Sequence, residues 1–457
     1  MIIGNVAVWN QAEFVEQSQD LDQLARGDYE PVKRELARKY PTTTMAVRAI
    51  PFVERYIDEL SGLYRLPLVR TFPDAADTSY RKMREVYAAS DIDGVMSQVE
   101  DALWVQNTAL LVVVPVAPGR VRVLVIMPWQ VETVEIADPL DASDPSTWDR
   151  LVVSVPTSVI DGQVVMGRME LTRTTARRQV GGAWQGIYND DTSHTFGRVP
   201  VVVARRVKPE PGRWAAPVRQ AVLNLQLSLS VQAADDELIV KHCAWPQKVI
   251  EGADINQQVG EMQVGPDKIM TLMRSGNPET PSPVLRVVQG QVPVAELVSF
   301  AEHKIRLYCS QLGMDPSSFI RTNTAVTASA RLFGAQDRSR LRGKIKPELQ
   351  RAETQLAKLI AAVLDAREAV QIGQAVSVSI RYAELIPTAD PNSAASARAQ
   401  TYEAGTASPA SDLAREMGIS YAAALAQVER NLAESRNLGV IDVVASPAEP
   451  APSAEPT

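Results

Sequence analysis

The sequence predicts an α+β protein in which helices come first, a largely antiparallel sheet follows, and helices dominate the second half. Three observations predict this fold. Apolar residues recur at three-to-four spacing from Met45 to Leu63, as on one face of a helix. From Ala109 to Ile136, apolar runs flank Pro118-Gly119, which predicts strands joined by a turn. After residue 213 the chain is rich in Leu, Gln and Ala, which favours helix.

Composition sets outer limits on function. The chain has 457 residues, 45% of them hydrophobic and 22% charged, so it contains enough apolar material for folded cores. Its formal net charge of −7 argues against a protein that binds nucleic acid over a broad basic surface. The N-terminus lacks a basic region of the signal-peptide type, and the core LLVVVPV of the long uncharged run Ala102–Gly119 is predicted as buried strand. We therefore expect a soluble, intracellular protein.

The first 212 residues are predicted to form helices followed by a sheet. Residues 10–65 are helical in pattern with Pro31 and Pro41 as interruptions, and a second helix is expected from Asp93 to Trp104. A polar loop is expected over Gly181–Arg198. Further strands are predicted at Arg150–Val155, Gln163–Leu171 and Pro200–Val207.

Residues 213–243 carry conflicting signals. Leucines alternate with polar residues from Leu223 to Val231, which is a strand period, but the segment has few β-branched residues and is long for one strand. Helix is the favoured interpretation. Such a helix would be apolar on several sides and would need neighbours all round.

The rest of the chain alternates short and long elements. Residues 244–292 are cut by glycine and proline into pieces with three candidate strands, and Pro347 is expected to kink a long helix near residues 343–347. The tail is expected to be disordered. The predicted elements are strands at Lys248–Glu251, Ile269–Met273, Val284–Val288 and 376–385, helices at Pro293–Leu312 and Thr327–Glu368, a polar loop at 314–330, and two short helices within 391–437.

The main charge feature runs from Arg321 to Lys346, which we call the basic segment. It has seven basic residues and one acid, Asp337, for a net charge of +6. One interpretation is a solvated helix face that pairs with acids elsewhere; the other is contact with a polyanion or with acidic neighbouring subunits. Its one aromatic residue, Phe333, argues against base stacking. The basic residues are Arg321, Arg331, Arg338, Arg340, Arg342, Lys344 and Lys346.

No pattern predicts catalysis or a metal site. With two cysteines and three histidines the chain is poor in metal ligands, and His242-Cys243, being adjacent, diverge by about 100° on a helix. His303 and Cys309 also fall on different faces. The carboxylate clusters at Asp235–Glu237 and Asp190-Asp191 are expected at the surface. We predict no enzyme, no cofactor and no metal.

The order of parts resembles that of a tailed-bacteriophage portal protein, from about residue 25 to residue 437. The resemblance rests on an entry helix, a wing sheet, a stem helix that runs into the clip, a returning stem helix, a tunnel loop with a long kinked helix, and a strand returning to the wing. The segments are, in that order, AIPFVERYIDELSGLYRLP, LVVVPVAPGRVRVLVIMPWQVETVEI, AVLNLQLSLSVQAADDELIVKHCAWPQKVIEG, AELVSFAEHKIRLYCSQLGMDPSSF, TNTAVTASARLFGAQDRSRLRGKIKPELQRAETQLAKLI and VSVSIRYAELIPTAD.

The resemblance implies a division of the chain. Residues 376–385 are expected to return to the sheet begun near residue 109. The clip is compact and the crown short compared with large portals. The implied parts are a wing at 1–212, a first stem helix at 213–243, a clip at 244–292, a second stem helix at 293–312, a tunnel loop at 313–330, a kinked helix and wing strand at 331–388, a crown at 389–440 and a tail at 441–457.

The resemblance also implies a function. About twelve subunits would form a ring at one capsid vertex, assembled in the host cytoplasm, through which double-stranded DNA passes without sequence recognition. The implied partners are the terminase large subunit, a head–tail adaptor, and the major capsid and scaffolding proteins, with no membrane. The tunnel loop would touch DNA through Arg321, Thr322, Asn323 and Thr324, and the remaining basic residues would contact DNA or a neighbour.

Two other classes remain open. A head–tail adaptor ring is the first, although adaptors are usually much shorter than 457 residues. A hydrolase built on His194 or on Asp235–Glu237 is the second, although neither has a recognised catalytic pattern.

Overall fold

The fold is known from a computed structural model and forms two compact units, residues 1–384 and 385–457. The structure describes residues 12–41, 50–66, 68–72, 77–160, 163–188, 192–244, 247–251, 284–288, 293–320, 328–368, 372, 377–383, 402, 408–417 and 421–437.

Five helices open the first unit and pack around a shared core. α3 is short but strongly amphipathic, and its buried side chains include Phe52, Val53, Tyr56 and Leu60. α5 begins at Asp91, whose carboxylate accepts from the Gly94 amide and so caps the helix. The bounds are α1 Ala12–Ala25, α2 Glu30–Lys39, α3 Phe52–Leu60, α4 Asp77–Ala89 and α5 Ile92–Gln106.

Two antiparallel sheets follow the helices. The first has the order β3-β2-β9, with β2, which is buried from Thr108 to Pro115, at its centre, and the second runs β4-β5-β6-β7-β8 in sequence order. The α+β class predicted from the sequence is therefore confirmed. The strands are β2 Thr108–Ala117, β3 Arg120–Ile126, β4 Val131–Ile136, β5 Trp148–Ile160, β6 Gln163–Thr172, β7 Ala176–Val180, β8 Ala183–Gly186 and β9 Val201–Arg205. α4 and β7 were not predicted, and β8 lies inside the segment expected to be a loop.

Long helices dominate the second half, as predicted. β10 and β11 pair antiparallel between α6 and α7, while the candidate strand Ile269–Met273 lies outside the described residues. α8 runs without a break past Gly334, Gly343 and Pro347. The elements are α6 Gln220–Ala244, β10 Gln247–Glu251, β11 Val284–Val288, α7 Val294–Leu312, α8 Ala328–Glu368 and β12 Ser379–Arg381.

The strand expected to rejoin the sheet begun near residue 109 pairs elsewhere. β12 forms a separate two-stranded antiparallel sheet with β1, Val69–Thr71, so that prediction was wrong. The central strand β2 already has β3 and β9 on its two sides, and hydrogen bonds to both occupy its backbone. β1 offers the free edge instead, and the pairing joins the start of the unit to its end.

The second unit contains the two short helices expected near the C-terminus. α9 spans Pro409–Met417 and α10 spans Tyr421–Asn437, and they pack on each other with Ala410 and Ala424 buried. The Tyr402 hydroxyl donates to Asp412 on α9 at 3.0 Å.

α6 is a helix, as residue propensity predicted, in spite of its alternating leucines. It packs against α1, α2, α3 and α7, and buries both apolar and polar side chains. The neighbours expected on several sides are thus supplied in large part by helices of the same chain. Burial of Gln226 and Ser230 explains why the polar half of the alternation does not mark a solvent face.

Gln226 of α6 holds the start of α3. Its Oε1 accepts from the amides of Phe52 (2.8 Å) and Val53 (3.1 Å), and its Nε2 donates to the Ile50 carbonyl at 2.5 Å. Pro51 precedes α3 and supplies no side-chain cap. The Phe52 amide also donates to the Ile50 carbonyl at 2.7 Å, so Gln226 matters most for the Val53 amide. Gln226, which is 174 residues from Phe52 in sequence, therefore acts as the N-cap of α3.

We expect Gln226→Ala to lower the free energy of unfolding by about 2–4 kcal/mol, because the Val53 amide loses its acceptor, the Phe52 amide and the Ile50 carbonyl each lose one of their partners, and a small cavity opens. Chemical denaturation followed by circular dichroism measures the change. Asn224→Ala, an exposed position on the same helix, is the control and should cost less than about 0.5 kcal/mol. Equal effects in the two variants would contradict the assigned role.

Candidate functional site

The basic segment lies partly on α8. Arg321, Thr322, Asn323 and Thr324 fall outside the described residues, so their predicted contact with DNA stays a prediction. Arg331 falls within α8, but its side chain is also outside the described part. Five basic side chains of the segment have described environments: Arg338, Arg340, Arg342, Lys344 and Lys346.

The Arg338 side chain contacts other residues of the same chain. Its guanidinium forms an ion pair with Glu59 on α3, and the same carboxylate oxygen accepts from the Ser318 hydroxyl at 2.8 Å. Arg338 also lies 3.4 Å from the Ser318 hydroxyl oxygen. One carboxylate therefore joins α3, α8 and the 3₁₀ turn Pro316–Ser318 that follows α7.

Arg342 holds the end of α3. It donates to the carbonyls of Leu60 (2.7 Å), Glu59 (3.0 Å) and Ser61 (3.2 Å). These carbonyls belong to the last turn of the helix, where a positive group is also favoured by the helix dipole. Burial lowers the pKa of Arg342, and nearby Glu100 opposes that shift. The guanidinium stays charged at neutral pH and is not free to contact a phosphate.

The other basic side chains face different surroundings. Arg340 is 62% exposed and lies 3.7 Å from Asp337, and Lys344 is exposed four residues later. The Lys346 ammonium sits 5.8 Å from the centre of the Tyr382 ring. At about 100° per residue, Arg340 and Lys344 point roughly away from the face that carries Arg338 and Arg342. They are the described residues of the segment that a partner can reach.

Glu100 fixes the chain just after α3. This fully buried carboxylate accepts from the amides of Gly62 (3.0 Å), Leu63 (3.0 Å) and Tyr64 (3.3 Å). Burial raises the pKa of Glu100, and the three backbone donors oppose that shift by stabilising the charged form. Gly62 also leaves room for Arg342, because a Cβ there would lie 3.2 Å from the guanidinium.

A second buried charge joins α8 to the β1–β12 sheet. Glu353 on α8 pairs with Arg70 of β1 and accepts from the Tyr64 hydroxyl at 2.8 Å, and Tyr64 in turn contacts the Tyr382 hydroxyl at 3.1 Å. Burial raises the pKa of Glu353, while Arg70 opposes the shift. Arg70 also pairs with Asp93 on α5. No sequence pattern predicted this network, since Glu353 is one of several charged residues in a long helix.

The two stem helices of the prediction, α6 and α7, pack against each other. Lys304 of α7 donates to the Ser228 hydroxyl of α6 at 3.1 Å. Cys309 and Leu312 are buried at the end of α7 nearest the body of the unit. Several large apolar side chains on α7 stay at the surface in the single chain: Val294 (55% exposed), Val298 (53%), Phe300 (54%) and Leu307 (50%).

The described residues that were considered as catalytic or metal-binding groups are buried or bonded to other residues of the chain. Cys309 is fully buried, and burial raises the pKa of its thiol to about 12. His194 packs between Tyr188 and Phe196 and contacts the Thr172 carbonyl, and Asp235 pairs with Lys39 at 2.7 Å. Asp190-Asp191 and the side chains of His242-Cys243 lie outside the described residues. Within the described ranges no three His, Cys, Asp or Glu side chains gather as a metal site.

No helix in the described ranges combines the length and hydropathy that a membrane span needs.

No family of known proteins matches the sequence, and no curated protein matches it. The chain is similar in structure to parts of gene transfer agent particles. One is from the neck of an empty particle computed with C6 symmetry, at a TM-score of 0.48 and 12% identity, over 91% of this chain and 96% of that chain. Another is from the virion of the native particle, at a TM-score of 0.43 and 12% identity, over 86% and 94%.

We expect Arg342→Met to lower the free energy of unfolding by about 2–4 kcal/mol, because three carbonyls at the end of α3 lose a charged donor. Arg340→Met, two residues away and exposed, should change it by less than about 0.5 kcal/mol. Urea denaturation of both variants measures the difference. If Arg340→Met costs as much as Arg342→Met, the division of the segment into an inward and an outward face is wrong.

Proposed function

We propose that the chain is a portal-type protein that forms a ring of about twelve copies at one vertex of a capsid. Double-stranded DNA would enter during packaging and leave during ejection through the centre of the ring. In this proposal α6 and α7 are the stem, residues 244–292 the clip and residues 313–330 the tunnel loop. The first stem helix, predicted from residue 213, begins only at Gln220. A terminase and a head–tail adaptor would dock on the ring, and the chain itself would carry out no catalysis.

The order of elements supports the proposal. Helices and an antiparallel sheet lead into the long helix α6, which runs into the strand pair β10–β11, and α7 returns from that pair to the body. α6 has 25 residues and α7 has 19, so they extend for about 38 Å and 28 Å at ~1.5 Å per residue. An arm of two helices with a small sheet at its end is the arrangement that a stem and clip require.

The exposed apolar side chains of α7 are the observation that best supports the proposed ring. Val294 and Val298 lie on one side of the helix, and Phe300 and Leu307 share a stripe that is roughly opposite, at about 100° per residue. A helix at the edge of a monomer needs one apolar side. A helix that shows apolar side chains on two sides suits a position between neighbouring subunits, where each copy presents one surface and receives another.

Electrostatics supply the proposed transport mechanism. A net charge of −7 on each chain would give a ring of about twelve copies a strongly negative charge, which repels phosphates and lets DNA slide. Basic side chains at one level, including Arg321 of the predicted tunnel loop, would touch the phosphate backbone without reading bases. Arg340 and Lys344 are exposed and remain candidates for contact with DNA or a neighbouring subunit.

The ring is tested by light scattering and negative-stain microscopy on the purified chain. We expect particles of about 600 kDa, roughly twelve times the 49.9 kDa chain. The double variant Phe300→Asp/Leu307→Asp should shift the population to small species without unfolding the monomer, because buried charge in an interface is costly. Ser299→Asp, an exposed position on another side of α7, should leave the ring intact. A wild-type chain that stays monomeric at high concentration would refute the proposal.

The loop assignment has its own test. We expect Arg321→Glu to weaken retention of packaged DNA, because it replaces an attractive contact with phosphate by a repulsive one. Arg306→Glu, a charge change of the same size on an exposed position of α7, is the control. The measurement is the fraction of DNA-filled particles after assembly with each variant. Equal retention in wild type and Arg321→Glu would remove the support for the loop.

A further inference from the structure

Two half-buried arginines of the loop between β9 and α6 are held at the end of helix α5. The Arg206 amide donates to the Asn107 carbonyl at 2.9 Å, and the Arg219 amide donates to the Val105 carbonyl at 2.9 Å. The Asn107 side chain closes the loop, because its Nδ2 donates to the Pro217 carbonyl at 2.6 Å. The backbones of Arg206 and Arg219 therefore lie at neighbouring turns of the chain, although the loop separates them in sequence.

Neither guanidinium has an acidic partner in the part of the chain that the structure describes. The Arg206 Nε donates to a neutral acceptor, the Asn107 Oδ1, at 2.8 Å. The Arg219 guanidinium lies 5.5 Å from the centre of the Tyr56 ring, and its Nη1 is buried and meets no acceptor of the described chain. Burial lowers the pKa of Arg206, and it lowers the pKa of Arg219 to about 10, with no carboxylate opposing either shift. Both side chains thus stay charged at neutral pH.

Arg70 shows how the same fold treats another buried arginine. It pairs with Glu353 on α8 and with Asp93 on α5, so its charge is compensated within the chain. A half-buried guanidinium without an anion is costly, because the protein interior does not replace the water that it loses. The contrast indicates that the anion for Arg206 and Arg219 comes from outside the described chain.

A second copy of the chain is the partner that suits this site. Arg206 and Arg219 remain partly accessible, and their sequence neighbours Val207 and Gln220 are exposed. Gln220 is the first residue of α6, so the site lies where the proposed stem leaves the body. The chain has 54 acidic and 47 basic residues, so each copy presents an excess of carboxylates. A carboxylate on a flexible side chain can enter a recess more readily than a phosphate fixed in a duplex.

We propose that Arg206 and Arg219 supply the positive charge of a site for a carboxylate that a neighbouring copy of the chain inserts beside the start of α6. The neighbouring copy rests on the proposed ring; the missing acidic partner of the two arginines does not. In the ring, Arg219 keeps its contact with the Tyr56 ring and turns its remaining N–H groups to the carboxylate. A directional ion pair of this kind fixes how each copy is oriented relative to the next, which apolar contacts along α7 do not do as sharply.

Removal of one charge tests the site on the full-length protein. We expect Arg219→Met to raise the concentration at which half of the chains are in rings by about ten-fold or more, because the partner's carboxylate is left unpaired. Below that concentration its melting temperature should match that of wild type within about 2 °C or exceed it, since an uncompensated charge is removed. Arg70→Met should instead lower the melting temperature by about 5 °C or more, because it leaves the buried Glu353 unpaired.

Arg213→Met is the matched control, because Arg213 lies on the same loop and pairs with Glu210 of its own chain at 3.4 Å. It should leave ring formation within about two-fold of wild type. A loss of melting temperature in Arg219→Met as large as in Arg70→Met would overturn the proposal, since the partner would then lie within the chain. Unchanged ring formation in Arg219→Met would overturn it too.

Zero-length cross-linking identifies the partner directly. A carbodiimide joins an amine to a carboxylate in contact with it, so Arg219→Lys introduces the required amine at position 219. In rings mixed from isotope-labelled and unlabelled chains, we expect peptides that join position 219 of one chain to an Asp or Glu of another. Arg213→Lys should link to Glu210 within one chain. Links from position 219 that stay within one chain, or no links at all, contradict the proposal.

The wild-type chain separates this site from the ring itself. A wild-type ring that Arg219→Met leaves unaltered keeps the ring and rejects the site, whereas a wild type that stays monomeric rejects both. A short DNA duplex provides the last comparison. If the duplex binds wild type but not Arg219→Met, and position 219 gives no cross-link between chains, the anion is a phosphate and the proposal is wrong.

Discussion

Helix α3 has nine residues and five buried side chains, and a buried helix needs hydrogen-bond partners for the backbone groups at both ends. Its own sequence supplies no side-chain cap at the start, where Pro51 precedes Phe52. Gln226 accepts from the amides at the start of α3, and Arg342 donates to the carbonyls at its end. Glu100 accepts from the amides just after the helix. These three side chains belong to α6, α8 and α5. The polar ends of one short helix thus constrain how α5, α6 and α8 pack around it, because each must bring a side chain within hydrogen-bond distance.

Much of the fold could be predicted from local pattern, and little of its long-range pairing could. Periodicity and turn residues located the strands β2 to β6, β9 and the helix α5, and propensity identified α6 correctly against a misleading alternation. β12 was recognised as a strand but assigned to the wrong sheet, because alternation says that a strand exists and not which edge is free. α4 and β7 were not predicted because their residues are mostly polar or charged, so they show no clear apolar period.

For the candidate site, too, the sequence could not predict which residues contact each other. A charge count drew attention to the basic segment, yet it could not separate Arg338 and Arg342, which bind α3, from Arg340 and Lys344, which face solvent. Glu100, Gln226 and Glu353 have no sequence signal as buried groups, since Glu and Gln are residue types that are usually exposed. What makes them structural is the partner across the core: three amides, a helix start, and an arginine on β1. Such partners are set by tertiary structure, and the composition of a segment does not contain them.

The pairing of β1 with β12 also has a consequence for biosynthesis. The Tyr64–Tyr382 contact joins residues 318 positions apart, and at ribosomal rates the early residues would wait roughly 15–65 s for their partners. α7 leaves the ribosome about 70 residues before β12 does, so its apolar surface is in solution while the body is still open. The small β1–β12 sheet therefore closes only after nearly all of residues 1–384 have been synthesised.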